Sequence, residues 1–225
     1  NVATGRGDLS SKSNSLVGLN TIFFAPRYVA SRFQLLAGQP LYRGSARTRR
    51  MVALEYGRFL IGMGVIYSLA LLDGATIETD SRSSDFGKLR YGNTRIDPMA
   101  GLLQNTVLLS RISTGKIHNA KGKLVPIRGP KVPFGGKDTW KVIADFTRTK
   151  FSPAIGTGIN ILSGKDVVGQ PVTPSSVASN LLIPLSSQDV FAVMLEQGIP
   201  RGTIFTILSI YGWGLQNYDS NRRTR

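Results

Sequence analysis

The chain has 225 residues, 41% of them hydrophobic, and its 28 lysines and arginines outnumber 13 aspartates and glutamates for a formal net charge of +15. That apolar fraction supports a packed core and excludes wholesale disorder. The absence of cysteine excludes disulfide frameworks, cysteine-ligated zinc, iron–sulfur clusters and cysteine nucleophiles. The positive excess points to a polyanionic partner, either nucleic acid or an anionic membrane surface; a basic scaffold inside a larger assembly is the plain alternative.

Residues 1–21 are rich in Gly, Ser and Asn and read as an extended lead-in. They are polar and carry no secretory leader, and a chain opening on Asn1 reads as a processed protein or the end of a longer one. Helical periodicity begins at Pro26, with Tyr28, Val29, Phe33 and Leu36 on one face and Gly38 as the stop. A short connection over 38–44 leads to a long helix over 45–74, with Ser45 as N-cap and Gly74 as C-terminal stop. Its charges oppose the helix dipole: Arg47, Arg49 and Arg50 stand at the N-terminal end and Asp73 at the C-terminal end. The arginines are therefore expected to serve a partner.

Beyond the long helix, 75–80 reads as a short strand and 86–97 as a hairpin turning at Gly92-Asn93. Asp97-Pro98 is expected to cap a helix running through Leu103, Val107 and Ile112 to Gly115. Residues 116–137 form the most basic loop, with Lys116, Lys121, Lys123, Arg128, Lys131 and Lys137 and no acid; 119–122 would be the turn of a hairpin. Further helices are expected after Asp138, after Ser152-Pro153 (ending at Gly164), after Thr173-Pro174 (through Leu182), from Ser187 to Gly198, and from Pro200 onward, where the apolar block 202–215 lies. The tail 216–225 is polar and basic. The expected architecture is mainly α, an irregular helical domain over 22–215 of about seven helices with one or two small β-hairpins.

Enzymatic signatures are missing, and no cofactor or metal is expected. The single histidine, His118, has no acidic neighbour in sequence, and no G-x-S-x-G elbow supplies a nucleophile for it. Glu78, Asp80 and Asp85 come closest to an acidic cluster, but Arg82, Arg90 and Arg95 nearby favour salt bridges over a cation site or a carboxylate pair. None of the Gly-Lys pairs stands in a phosphate-binding loop. Two apolar blocks stand out, 59–72 and 202–215, each roughly 21 Å long as a helix against a hydrocarbon core of ~30 Å. Phe59, Leu60, Ile61, Val65 and Ile66 in the first, and Ile204, Phe205, Ile207, Leu208 and Trp213 in the second, are candidate membrane or oligomer contacts. The first reading is that the two blocks pack on each other as a buried central pair, with the long helix covered from about Phe59 onward. The polyanion contacts are assigned to Arg47, Arg49, Arg50 and the basic residues of 116–137.

Several short motifs carry a resemblance. Phe23-Phe24-Ala25-Pro26-Arg27, Ser45-Ala46-Arg47-Thr48-Arg49, Asp85-Phe86-Gly87-Lys88, Gly92-Asn93-Thr94-Arg95-Ile96-Asp97-Pro98 and Glu196-Gln197-Gly198-Ile199-Pro200 resemble the C-terminal region of very large tailed-bacteriophage proteins. These are the internal virion, or ejection, proteins and the related large polyvalent proteins. The resemblance implies a non-enzymatic protein packaged in the virion interior near portal and DNA, then delivered through the tail into the host cell envelope. Its implied partners are copies of itself, phage portal or core proteins, packaged DNA bound without sequence preference, and the host membrane. A membrane-active helical module and an accessory domain of a large DNA-processing phage enzyme are the alternatives.

Overall fold

A computed structural model describes residues 7–9, 17–99, 101–119, 122–133, 135–165, 171–174, 177 and 185–218. The chain is mainly helical, 57% helix with small antiparallel strand pairs. Among the described residues the helices are α1 (Val17–Ile22), α2 (Pro26–Leu36), α3 (Gln39–Tyr42), α4 (Ala46–Leu72), α5 (Leu102–Thr114), α6 (Thr139–Arg148), α7 (Pro153–Ser163) and α8 (Leu185–Ile210). The strands are β1 (Thr76–Ile77), β2 (Leu89–Tyr91), β3 (Thr94–Asp97), β4 (Lys116–His118), β5 (Leu124–Pro126) and β6 (Gly214–Asn217). The described residues fall into two compact units: one within Gln34–Val107 and Ser186–Arg225, the other within Asn1–Phe33 and Leu108–Leu185.

The first unit is built on an antiparallel sheet in the order β1-β2-β3-β6. Its register aligns Ile77, Leu89, Ile96 and Leu215 in one row across all four strands. Side chains in register share a face, so this row makes one side of the sheet apolar. Leu89, Ile96 and Leu215 are buried there with Ala70 of α4 and Val193 and Phe205 of α8, and Ile66, Tyr67 and Leu208 pack around them. The two helices thus meet on one core, as expected, but α4 contributes little more than its last two turns.

Local chemistry sets most element ends. The Ser45 hydroxyl accepts from the Thr48 N–H at 3.2 Å and starts α4. The expected hairpin forms between β2 and β3, and Gly92 at its turn has a φ of 57°, a backbone conformation that costs glycine little. In α8, Gly198 (φ 76°, ψ 166°) breaks the helix, and Pro200 restarts it without needing a backbone donor.

The second unit centres on Leu108, Ile117, Ile127 and Val142, with Phe33, Ile112, Val125 and Phe146 against them. The basic loop is the expected hairpin, β4 pairing β5, with the Gly122 N–H closing the turn on the Asn119 carbonyl at 2.9 Å. Asp138 caps α6 by accepting from the Lys141 N–H at 2.7 Å. α7 starts at Pro153 and ends at Gly164 as expected.

Four expectations are corrected. Residues 17–22 are helical rather than extended, tied down by the Phe24 N–H on the Lys150 carbonyl (2.7 Å) and the Ser152 N–H on the Ile22 carbonyl (2.9 Å). The connection over 38–44 contains the one-turn helix α3. Asp97 does not cap a helix directly: it ends β3, its carboxylate accepts from Met99 and Gly101 N–H groups, and α5 begins only at Leu102. The block 202–215 is not one helix, because α8 ends at Ile210, the chain turns at Gly212, and β6 completes the sheet edge along β3. Most of the helix expected after Thr173-Pro174 lies outside the described residues, as do 219–225 of the tail.

Candidate functional site: an apolar helix with a basic end

α4 is apolar on every side over its second half, which is the pattern of a helix surrounded by apolar matter. Its own chain covers only one narrow face. Tyr56, Met63, Ile66, Tyr67 and Ala70 form that face, and the Tyr67 hydroxyl donates to the Gly87 carbonyl at 2.5 Å. Around the rest of the helix Ile61 is 71% exposed, Val65 53% and Leu72 85%, with Leu54, Phe59, Leu60, Leu69 and Leu71 exposed as well. The expectation that α4 is buried from Phe59 onward is therefore overturned. The sheet presents a single apolar side, and it is filled by the last turns of α4 together with α8.

Of the candidate apolar contacts, Phe59, Leu60, Ile61 and Val65 on α4 and Ile204 and Ile207 on α8 are exposed, while Ile66, Phe205, Leu208 and Trp213 belong to the core. By length and composition α4 is long and apolar enough to cross a membrane. Its helical span is roughly 40 Å.

Among the described residues, a Cβ placed on Gly57, Gly62 or Gly64 would meet nothing within 4 Å, though Gly57 is half-buried. Glycine inside a helix costs about 0.5–1 kcal/mol relative to alanine. Gly62 and Gly64 are exposed and stand on an uncovered side of the helix.

The cations stand in two places. Arg47, Arg49 and Arg50 are exposed on the first turns of α4, in the sheet-containing unit. Lys116, Lys123, Arg128, Lys131 and Lys137 are exposed on the hairpin and the segment after it, in the other unit; Lys137 pairs with Asp145, and Lys121 lies outside the described residues. His118 sits on β4 with its ring Nδ1 2.8 Å from the Gly122 carbonyl, where it helps close the turn.

Asp80 and Asp85 of the acidic segment form ion pairs, while the Glu78 carboxylate accepts from the Asp80 N–H at 2.9 Å. Arg82 holds Asp80 at 2.7 Å, and Asp85 lies between Lys88 (3.2 Å) and Arg95 (3.1 Å). Lys88 also donates to the Gln216 side chain at 2.9 Å, and the Arg95 guanidinium lies 5.4 Å from the Tyr218 ring. Burial raises the Asp85 carboxyl, but these two cations outweigh it and hold it below the usual carboxylate range. Among the described residues no three His, Asp or Glu side chains group closely enough to hold a metal ion.

One groove of about 270 Å³ lies in the other unit, lined by Phe23, Pro26, Val29, Phe146, Thr147 and Lys150. The Lys150 ammonium sits 4.9 Å from the Phe146 ring, and burial lowers its pKa. Set against known proteins, the chain matches no family model, no curated protein and no solved structure.

Proposed function

We propose that this chain is a non-enzymatic structural segment of a tailed-phage internal virion (ejection) protein, packaged near portal and DNA and carried to the host envelope during genome delivery. The observation that carries the reading is the uncovered length of α4. An apolar patch that large and continuous marks a surface made for burial elsewhere, so the chain is a component of a larger assembly. Its basic end and the 116–137 hairpin suit packaged DNA, which binds cations through its phosphates without reading sequence.

The test uses phage particles that encode the chain. Intact particles should shield it from added protease, and triggered ejection should move it into the host envelope fraction. A chain that is digested on intact particles, or missing from them, removes the proposal. A second reading, a membrane-active helical module, draws on the length and hydropathy of α4. It predicts leakage of anionic vesicles by the purified chain, lost in Leu60→Asp.

A further inference from the structure

We propose that the groove beside Lys150 binds a small monocarboxylate with an apolar, preferentially aromatic body. The carboxylate lies on the Lys150 ammonium and the body lies against Phe23, Pro26, Val29 and Phe146. The proposal concerns the second unit and is independent of the reading of α4.

The groove is held in shape by local chemistry within that unit. The Phe23 ring stacks on Phe151 with centroids 5.2 Å apart, and the next residue, Phe24, donates its N–H to the Lys150 carbonyl at 2.7 Å. The wall carrying Phe23 is thereby tied to the backbone that carries the lysine. Between that wall and α2 stands Ala25, with a φ of 49°, the one non-glycine of positive φ among the described residues. Its carbonyl accepts from the Tyr28 and Val29 N–H groups and starts the helix that supplies Pro26 and Val29. A left-handed alanine costs on the order of 1–2 kcal/mol, and backbone strain of this kind gathers at sites where the geometry is used.

The lining also selects the ligand. Among the described residues the groove is lined by no acid, and its single cation is Lys150. The Thr147 hydroxyl is spent within its own helix, donating to the Ile143 carbonyl at 2.9 Å. The Lys150 ammonium is half-buried, 4.9 Å from the Phe146 ring. Burial lowers its pKa, so the fold already bears part of the cost of taking this charge from water. An ammonium carries three donors, and a carboxylate laid on it forms a charge-assisted hydrogen bond in that partly desolvated setting. The first turn of α2 brings the positive end of its dipole to one wall, offsetting the negative end of α6 at the other. One cation among apolar walls suits a monoanion; a phosphate would need further donors that Phe23, Pro26 and Val29 do not offer. The volume of about 270 Å³ falls just below the ~300–1,000 Å³ usual for small-molecule sites, which keeps the ligand small. Phe23 and Phe146 favour an aromatic body.

The test titrates the whole chain with 4-phenylbutyrate and with its neutral analogue 4-phenylbutyramide, reading Kd from ligand line broadening in NMR. The carboxylate should bind at least about tenfold more tightly. Apolar adhesion to the exposed side of α4 would hold both probes alike, so equal affinities overturn the proposal, as does no binding of the carboxylate at about 1 mM. Lys150→Met should keep its far-UV circular dichroism and lose the preference for the carboxylate, and Lys150→Arg should retain it. A preference that survives in Lys150→Met overturns the assignment. Val29→Trp, which fills the groove and leaves the ammonium in place, should abolish binding of the carboxylate. A folded Val29→Trp chain that binds it as the parent does places the site elsewhere, and the proposal falls.

Discussion

Asp85 and Asp189 respond to their surroundings in opposite senses, and both lie in the sheet-containing unit. Asp85 is held by Lys88 and Arg95, both nearly buried themselves. Removing its charge strands two cations away from water, and breaking such a pair is more costly than the pair is worth. Asp85→Asn should therefore lower stability at pH 7 by on the order of 2 kcal/mol, read as a fall in the urea midpoint. Because the Asp85 carboxyl ionises below its ordinary range, its contribution is present above the unfolded value near ~3.9. It is lost as pH falls through the lower folded value, so the variant should lack that part of the acid transition. At Asp189, burial raises the carboxyl and a backbone hydrogen bond at Asn217 only partly opposes it. Here the charged form is the costly one, above the raised folded pKa. Asp189→Asn should raise the urea midpoint at neutral pH, and the gap should close on acidification below the unfolded value. A variant no more stable than the parent at pH 7 would contradict this.

At the scale of elements, coverage and composition part company on α4. Substituting an uncovered position should cost the isolated chain little: Ile61→Asp or Val65→Asp should shift stability by no more than about 0.5 kcal/mol under monomeric conditions. Phe205→Ala, at a buried position whose ring lies 5.4 Å from Tyr91, should cost about 3–5 kcal/mol. Thermal or urea unfolding of the three variants side by side checks the contrast; equal losses would mean that α4 is covered after all. The ends of elements were legible in the sequence because they rest on short-range chemistry: the Ser45 and Asp138 caps, the Gly92-Asn93 turn and the Gly198 break each involve groups within a few residues. The covered side of α4 was not legible. A helix apolar on all sides gives periodicity no phase to report, so the inward face follows from the sheet row built by Ile77, Leu89, Ile96 and Leu215, which are distant in sequence. Residues 211–217 failed for a related reason. Trp213 and Leu215 continue an apolar helical run, but the free edge of β3 offers backbone hydrogen bonds that the strand conformation takes up.

For the whole molecule, the candidate site was legible as residue types and not as an arrangement. The arginines of α4 and the hairpin cations were picked out by their excess over acids, and both sets are exposed, but they belong to different compact units. Their contributions to polyanion binding can therefore be separated by mutation. Binding through phosphates releases counterions, so log K should fall with log salt at a slope of about −0.9 per neutralised phosphate on duplex DNA. Arg47→Ala/Arg49→Ala/Arg50→Ala should flatten that slope by up to about 3 and weaken retention of DNAs of unrelated sequence equally. Lys123→Ala/Arg128→Ala/Lys131→Ala should flatten it by a similar amount, and the two sets should add on the logarithmic scale when each unit meets its own stretch of backbone. If the α4 set changes nothing while the hairpin set abolishes retention, DNA contact belongs to the hairpin alone.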